Sequence, residues 1–537
     1  MGSLGRASAL IGAGTMISRV TGLLRTIVLV AVLGAVGSEA ADAFDVANKL
    51  PNSIFNLISV GVLTAVIVPQ IVQAARHDDK GSAFISKLFT LGTVVLIVAT
   101  GITAIITPWL VSVQLPHGGA QAALAIAFAY WCLPQIVFYG LYAIVGETLN
   151  ARNIFGPFTW APVINNILSI IGFLVIGAVF GTQLVDVEQW TPAMIAALGG
   201  TATFGILVQA GVLLLFWRRT GIQIRPDFRW RGVGLGNVGR LASWTLLMAL
   251  LSLGTGFLQT NVANLASGEG AGSTVMSNAW LVFMLPYSII VLSIGTPYFT
   301  RISEHAASGR DDEVRTDISR AVRTLGFFIM GALAAVVAAA VPASRVFTGS
   351  APDAEAAALV LLAYLVSLVP LTVIFMVQRS FYAYNDTRTP LLFTVAQCVI
   401  VIATALGARM LVDAGVLHIT HLAAAVALGQ SIASTLQTLL AVWLLRRRLG
   451  TLGVRRWLGA LGWFTIAAVP AGFAGWGVYL LCGGVEGWMT QSQLFGALGA
   501  SLVGGVALAV YAGVLAVMRT PELAVAGALL RRFLPGR

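Results

Sequence analysis

Long apolar runs separated by short polar connections recur from one end of the chain to the other. Each run is long enough, at about 1.5 Å per residue, to cross a hydrocarbon core of about 30 Å as a helix. The first six lie near residues 8–36, 43–75, 83–112, 120–150, 157–181 and 193–217. Eight more follow near 237–267, 275–302, 317–342, 355–384, 389–412, 419–445, 458–482 and 493–518. The pattern predicts an all-α polytopic membrane protein with about 14 transmembrane helices, an even number that puts both termini on one side.

Two short motifs repeat across this series. LPNSIFNLISVG (Leu50–Gly61) echoes LPYSIIVLSIG (Leu285–Gly295), and LNARNIFGP (Leu149–Pro157) echoes FYAYNDTRTP (Phe381–Pro390). Each pair occupies matching places in two halves. The expected organisation is therefore two pseudo-symmetric six-helix lobes, 1–218 and 219–446, followed by two further helices and a short basic tail in 447–537. Such repeats place a substrate site near the membrane midplane.

Composition agrees: 58% of the 537 residues are hydrophobic and only 10% are charged, against about 25% charged in a soluble chain. The net charge of +11 alone would suggest a nucleic-acid partner. However, the cations cluster in alternate connections, at Arg76–Lys87, Arg152, Arg218–Arg240, Arg301–Arg323, Arg379–Arg388, Arg446–Arg456 and from Arg519 onward. The intervening connections carry Glu39, Asp42, Asp186, Glu188, Glu269, Asp353, Glu355 and Glu486. That alternation is the positive-inside pattern and predicts a multi-pass protein of the cytoplasmic membrane with both termini cytoplasmic. Cys132, Cys398 and Cys482 sit in apolar runs at no ligand spacing, so neither a disulfide framework nor a zinc site is expected. The stretch Thr26–Gly37 followed by SEAADA imitates a secretory leader, but the apolar run begins at Ala7 and carries Arg19 and Arg25 within it, which favours a retained span.

Charge inside a span costs a few kcal/mol or more and seldom persists without a partner or a wet cavity. Arg19 and Arg25 are six residues apart, about 9 Å along a helix and about 120° around it, so both can line one broad cavity. The plainer alternative, strongest for Arg19, is snorkelling to the interface. In the second span Asp45, Lys49, Asn52, Asn56 and Ser59 recur at four, three, four and three, a single helical stripe with Asp45 able to pair with Lys49. Pro51 within it predicts a kink suited to a gate, while interhelical hydrogen bonding is the alternative use of the stripe. Gln135, Tyr139, Tyr142, Gln259, Asn261, Asn264, Gln430, Ser434 and Gln437 can also line a cavity, with structural hydrogen bonding the favoured reading. Glu147, Arg152, Arg379, Asp386 and Arg388 lie near cytoplasmic ends, where topology and salt bridges account for them, and a proton-sensing role for His418 and His421 has little behind it. No phosphate loop, metal motif or catalytic constellation appears, so no enzyme, cofactor or metal is expected.

SRVTGLLRTIVLVAVLG (Ser18–Gly34), ADAFDVANKLPN (Ala41–Asn52) and VGVLTAVIVP (Val60–Pro69) together resemble the opening of the MurJ/MviN family. LPQIVFYGL, LNARNIFGP and FYAYNDTRTP are similar to its later motifs, so the resemblance spans essentially the whole chain. It implies the fold of the multidrug/oligosaccharidyl-lipid/polysaccharide (MOP) exporter superfamily, with two lobes around a cationic cavity and a groove for a lipid tail at the last two helices. It further implies flipping of lipid II, an undecaprenyl-diphosphate-linked peptidoglycan precursor, to the outer leaflet of a bacterial inner membrane by alternating access. The implied partners are lipid II, membrane lipids, and proteins of cell-wall synthesis or division.

By this resemblance Arg19 and Arg25 match two first-helix arginines, and Asp42 and Lys49 match acidic and basic positions of the second helix. The expected substrate-binding set is Arg19, Arg25, Lys49, Asn52 and Asn56. Asp42, Asp45, Pro51 and Pro286 are expected to serve gating or structure. The chain also departs from the family pattern. Phe55, Asn56 and Leu281 stand where relatives carry arginine, and Asn261 and Val262 replace a sodium-holding carboxylate. The expected cavity is thus less cationic, without an evident sodium site. Export of another polyprenyl-linked glycan or of a drug, and a non-transporting scaffold role, are the alternatives; an enzyme would have to use Glu147.

Overall fold

In the computed structural model, which describes residues 3–59, 82–152, 154, 156–229, 235–518, 520 and 522, every regular element among the described residues is helical. Residues 60–81, with the VGVLTAVIVP motif and the rest of the second expected span, lie outside the described residues, as do 523–537 of the basic tail. The helices are α1 (Ser3–Leu33), α2 (Glu39–Ile58), α3 (Ser82–Ser112), α4 (Gly119–Cys132), α5 (Gln135–Ala151), α6 (Gly156–Phe180), α7 (Pro192–Leu215) and α8 (Leu235–Ala263). They continue as α9 (Ser273–Pro286), a π-helical turn (Tyr287–Leu292), α10 (Ser293–Ala307), α11 (Asp311–Ala338), α12 (Ala340–Arg345), α13 (Ala351–Leu365) and α14 (Leu368–Ala383). The last four are α15 (Arg388–Asp413), α16 (Leu422–Leu449), α17 (Val454–Leu481) and α18 (Gln493–Val517).

Twelve helical segments among the described residues are long and apolar enough to cross a membrane, and they coincide with the third to fourteenth expected spans. Two of them are broken in the middle. The fourth divides into α4 and α5 at Leu133 and Pro134, and the tenth divides into α13 and α14 just before Pro370. Proline lacks the N–H for the ladder and its ring crowds the carbonyl four residues back, here Tyr130 and Val366. Pro286 ends α9 in the same way and is followed by the six-residue π-turn.

The chain divides into two compact units, Met1–Gly268 with Gly272–Thr274, and Glu269–Ala271 with Val275–Arg537. In the first, α1 lies against α6, α6 against α7, and α2 against α4. The side of α2 that packs is mostly small, with Ala40, Ala43 and Ala47 buried beside Phe44 and Leu50. Lipid supplies no hydrophobic drive between helices, so close van der Waals approach by small residues has to hold them. Phe44 meets Phe128 edge-on at 5.3 Å and Phe128 meets Trp190 at 5.1 Å, forming the centre of this core. Between α6 and α7 the approach is closer still. A Cβ added at Gly205 would fall 2.2 Å from Asn165 Oδ1, and Asn165 donates to Gln209 at 3.0 Å.

In the second unit α11, α17 and α18 pack on one another around Phe327, Phe464, Tyr511 and Leu515, and the Tyr511 hydroxyl donates to the Phe327 carbonyl at 2.8 Å. Arg345, at the end of α12, is 6% exposed. Its Nε donates to the Thr490 carbonyl at 2.7 Å, one Nη donates to the Thr348 carbonyl, and the other to the Gln491 carbonyl at 3.3 Å. Desolvation pulls its pKa below the ordinary arginine value, with Asp353 opposing weakly. One guanidinium thus serves backbone acceptors at the end of α12 and in the turn before α18.

Replacing Arg345 by Met removes donors from three carbonyls and should destabilise the protein by about 2–4 kcal/mol. Thermal unfolding in detergent would read this as a clear fall in Tm for Arg345→Met and none for the exposed Arg320→Met.

Candidate functional site

The polar stripe of α2 exists as spaced. Asp45 and Ser59 are half-buried, and Lys49, Asn52 and Asn56 are exposed on the side opposite Phe44, Ala47 and Leu50. Lys49 Nζ lies 2.6 Å from Asp45 Oδ2, one helical turn away, so the expected pair forms and much of the lysine charge is neutralised locally. The helix runs unbroken from Glu39 to Ile58 with Pro51 inside it and buried. The missing N–H of Pro51 leaves the Ala47 carbonyl without its ladder donor.

On α1, Arg19 is exposed and Arg25 half-buried. Among the described residues neither has a carboxylate within ion-pair distance or an acceptor within hydrogen-bond distance. Arg25 lies within electrostatic range of the Tyr139 hydroxyl on α5. Tyr139 in turn stacks on Phe55 of α2, with ring centroids 5.8 Å apart and planes inclined by 26°. Phe55 of α2 and Tyr139 of α5 thus stack on one another, with Arg25 of α1 in electrostatic range of the Tyr139 hydroxyl. Sequence reasoning treated Tyr139 only as one of many cavity candidates; the YG pair of LPQIVFYGL was the available signal.

Asp42 is held by a different set. It is buried, and its carboxylate accepts from the Ser267 hydroxyl at 2.7 Å, the Ser273 hydroxyl at 3.4 Å and the Thr274 backbone N–H at 2.8 Å. Ser267 accepts from Gln121 Nε2 at 2.8 Å, and Gln121 also donates to the Glu39 carbonyl at 3.2 Å. A carboxylate facing the first N–H groups of α9 is a favourable cap, because those groups have no partner inside the helix. Gly272 is needed for it, since a Cβ there would fall 2.0 Å from Asp42 Oδ2. These partners lie 225 to 232 residues away in sequence, which is why Asp42 was legible and its clamp was not.

Several neutral candidates prove to be interhelical fasteners. Gln135 donates to Asn48 at 3.3 Å and to Thr203 at 3.1 Å. Asn261 donates to the Val113 carbonyl at 2.9 Å, and Asn264 donates to the Gln114 carbonyl at 3.2 Å and accepts from the Ser273 N–H at 2.9 Å. Ser434 accepts from Gln397 at 3.5 Å. Near the expected cytoplasmic ends, Asp386 caps α15 through the Thr389 N–H at 3.0 Å and pairs with Arg448 at 2.8 Å. All three cysteines are free thiols.

Comparison with known proteins places this geometry in context. A family model described as lipid II flippase MurJ matches residues 29–497. A probable lipid II flippase MurJ of Haemophilus influenzae is 26% identical over 403 residues, 70% of this chain and 75% of the relative. A lipid II flippase MurJ of Burkholderia cenocepacia is 26% identical over 400 residues, 72% and 75% of the two chains. Among solved structures, a lipid II flippase MurJ in an inward closed conformation matches with a TM-score of 0.71 at 18% identity, covering 94% of this chain and 98% of that one. An inward-facing multidrug resistance MATE family transporter of the MOP superfamily matches with a TM-score of 0.62 at 17% identity, covering 81% and 95%. The structural likeness shows the fold, and the matched segment takes in Asp42 with its clamp, the stripe of α2 and the stacked Phe55 and Tyr139: the chain belongs to the lipid II flippase MurJ family.

Proposed function

We propose that this protein flips lipid II from the cytoplasmic to the outer leaflet of the bacterial inner membrane by alternating access. A diphosphate bearing a sugar-peptide head cannot cross hydrocarbon unaided, because desolvating its charge is prohibitive without compensation. The observation that carries the reading, beside family membership, is Arg25, a half-buried guanidinium in a spanning helix whose charge no carboxylate among the described residues offsets. A guanidinium can meet a phosphate through two parallel N–H donors. Arg19 supplies further positive charge, Lys49 adds a donor whose charge Asp45 largely offsets, and Asn52 and Asn56 supply hydrogen bonds from an exposed polar face. Asp42, Asp45, Pro51 and Pro286 are assigned to gating or structure, within lobes bounded at 1–218 and 219–446 and a helix pair in 447–537.

Both termini are assigned to the cytoplasm from the charge of the connections. Proteins of cell-wall synthesis or division are the partners this reading supplies for the arginine-rich cytoplasmic connections. Asn261 uses its amide on the Val113 carbonyl and brings no negative charge, which fits a cycle without a sodium carboxylate there. A second reading, export of another polyprenyl-linked glycan, draws on Phe55, Asn56 and Leu281 replacing cations. Depletion separates the two: a lipid II flippase leaves the precursor to accumulate and cells to lyse, whereas a glycan exporter spares peptidoglycan.

In proteoliposomes, labelled lipid II should reach the outer leaflet only when the protein is present. Arg25→Ala should slow this by about tenfold or more, the worth of one charge-assisted contact. Lys49→Ala should have a smaller effect because Asp45 already neutralises it. Equal rates with and without protein would sink the assignment.

Asp42→Ala removes the acceptor for the Ser267 hydroxyl and for the Thr274 N–H in the first turn of α9, and should lower stability by about 1–3 kcal/mol. Asp42→Asn keeps an acceptor oxygen and should retain part of it. Unfolding midpoints of both variants beside the unaltered protein provide the check, and equal midpoints would refute the clamp.

A further inference from the structure

Arg379 sits on α14 four residues before the helix ends at Ala383, about 6 Å from its expected cytoplasmic terminus. Charge bias and salt bridges are the simplest account of such a residue, yet its surroundings are aromatic. The guanidinium carbon lies 4.4 Å from the ring centroid of Phe375 and 4.9 Å from that of Phe299. The Tyr287 hydroxyl, on the π-turn, and the Tyr382 hydroxyl lie within electrostatic range. Among the described residues no carboxylate pairs with it and no acceptor takes its N–H groups. Nearby cations differ: Arg301 pairs with Asp317 at 2.8 Å and Arg448 with Asp386 at 2.8 Å.

Stacking uses the flat faces of a guanidinium, which the rings hold and partly compensate. Its five donors lie in the plane and are left unused by that contact. A half-buried cation held against two rings, with no acceptor on its N–H groups among the described residues, is suited to an oxyanion that accepts two parallel N–H bonds. In the first unit Arg25 lies within electrostatic range of the hydroxyl of Tyr139, which stacks on Phe55.

We propose that Arg379 is a second anion contact, within the second unit, that takes a phosphate oxygen pair of the lipid-linked diphosphate near the cytoplasmic leaflet and supplies the positive charge absent at Leu281. This rests on the flippase reading. A phospholipid headgroup presents the same phosphate chemistry, so the test must separate the two sources.

The full-length protein in nanodiscs, with Arg379→Gln, Arg379→Lys and Arg25→Ala, would be titrated with lipid II and separately with phosphatidylglycerol, and each variant's Tm recorded. Arg379→Gln should weaken lipid II binding about tenfold or more. Arg379→Lys should fall between, keeping the charge and losing the fork, with phosphatidylglycerol binding and Tm unchanged. Unaltered lipid II affinity in Arg379→Gln, with affinity lost in Arg25→Ala, overturns this inference and leaves the flippase reading standing. Loss confined to phosphatidylglycerol overturns it by assigning Arg379 to bulk lipid. Equal falls in Tm for the Gln and Lys variants overturn it by making the residue structural. No lipid II binding by the unaltered protein overturns both this inference and the reading beneath it.

Discussion

Inside a bilayer no water is available to satisfy a backbone amide or to hydrate a charge, and both facts shape this molecule. The first requires helices throughout and makes every break in them meaningful. The fourth and tenth spans break at Pro134 and just before Pro370, and the eighth passes through a π-turn after Pro286. The second requires each polar side chain in a span to find a partner. Neutral ones find carbonyls and one another, as Asn166 does by donating to the Ser18 carbonyl at 3.0 Å and to Thr21 at 3.1 Å. Arg25 and Arg379 are treated otherwise. Arg379 finds aromatic surfaces, which hold a cation without cancelling it, and Arg25 lies within electrostatic range of the Tyr139 hydroxyl.

That distinction separates scaffold from site. Asp45 with Lys49, and Arg448 with Asp386, are ion pairs that leave little net charge for a visitor. A carboxylate beside Arg25 would make an equally neutral pair and would compete with any incoming phosphate. An aromatic neighbour orients the guanidinium, excludes water from one side and leaves the charge available. On the proposed reading Phe55 and Tyr139 help to shape the site although neither can bind a diphosphate by charge.

The sequence made visible whatever depends on residues close together along the chain. The eleventh span, expected over 389–412, is Arg388–Asp413, and the thirteenth, expected over 458–482, is Val454–Leu481. The Asp45–Lys49 pair and the exposed stripe follow from helical spacing alone. The fourth and tenth spans were drawn as single helices because a hydropathy pattern does not register a local break within an apolar run. Contacts between residues far apart along the chain left no mark on periodicity. The partners of Asp42, in the glycine-rich connection before α9, belong here, and so does the meeting of Arg379 with Phe299. Arg379 was assigned to topology because one-dimensional charge bias cannot distinguish a paired cation from a stacked one.

A cavity with few cations need not transport poorly, because a carrier must release what it binds. Tight binding in one state alone would trap the diphosphate, and the useful quantity is affinity that changes between states. Clustered arginines repel one another when the anion is absent, and that repulsion has to be held by the fold. An uncharged Phe55 adds nothing to that repulsion and stacks on Tyr139. Each charge then rests on a geometry that helix movement can alter. A guanidinium held by rings loses its orientation when a ring from another helix shifts, whereas a charge on a flexible stem follows its ligand. On this argument Phe55 in the first unit, and the Phe299 of α10 that follows the π-turn in the second, are where helix motion would be converted into a change of anion affinity.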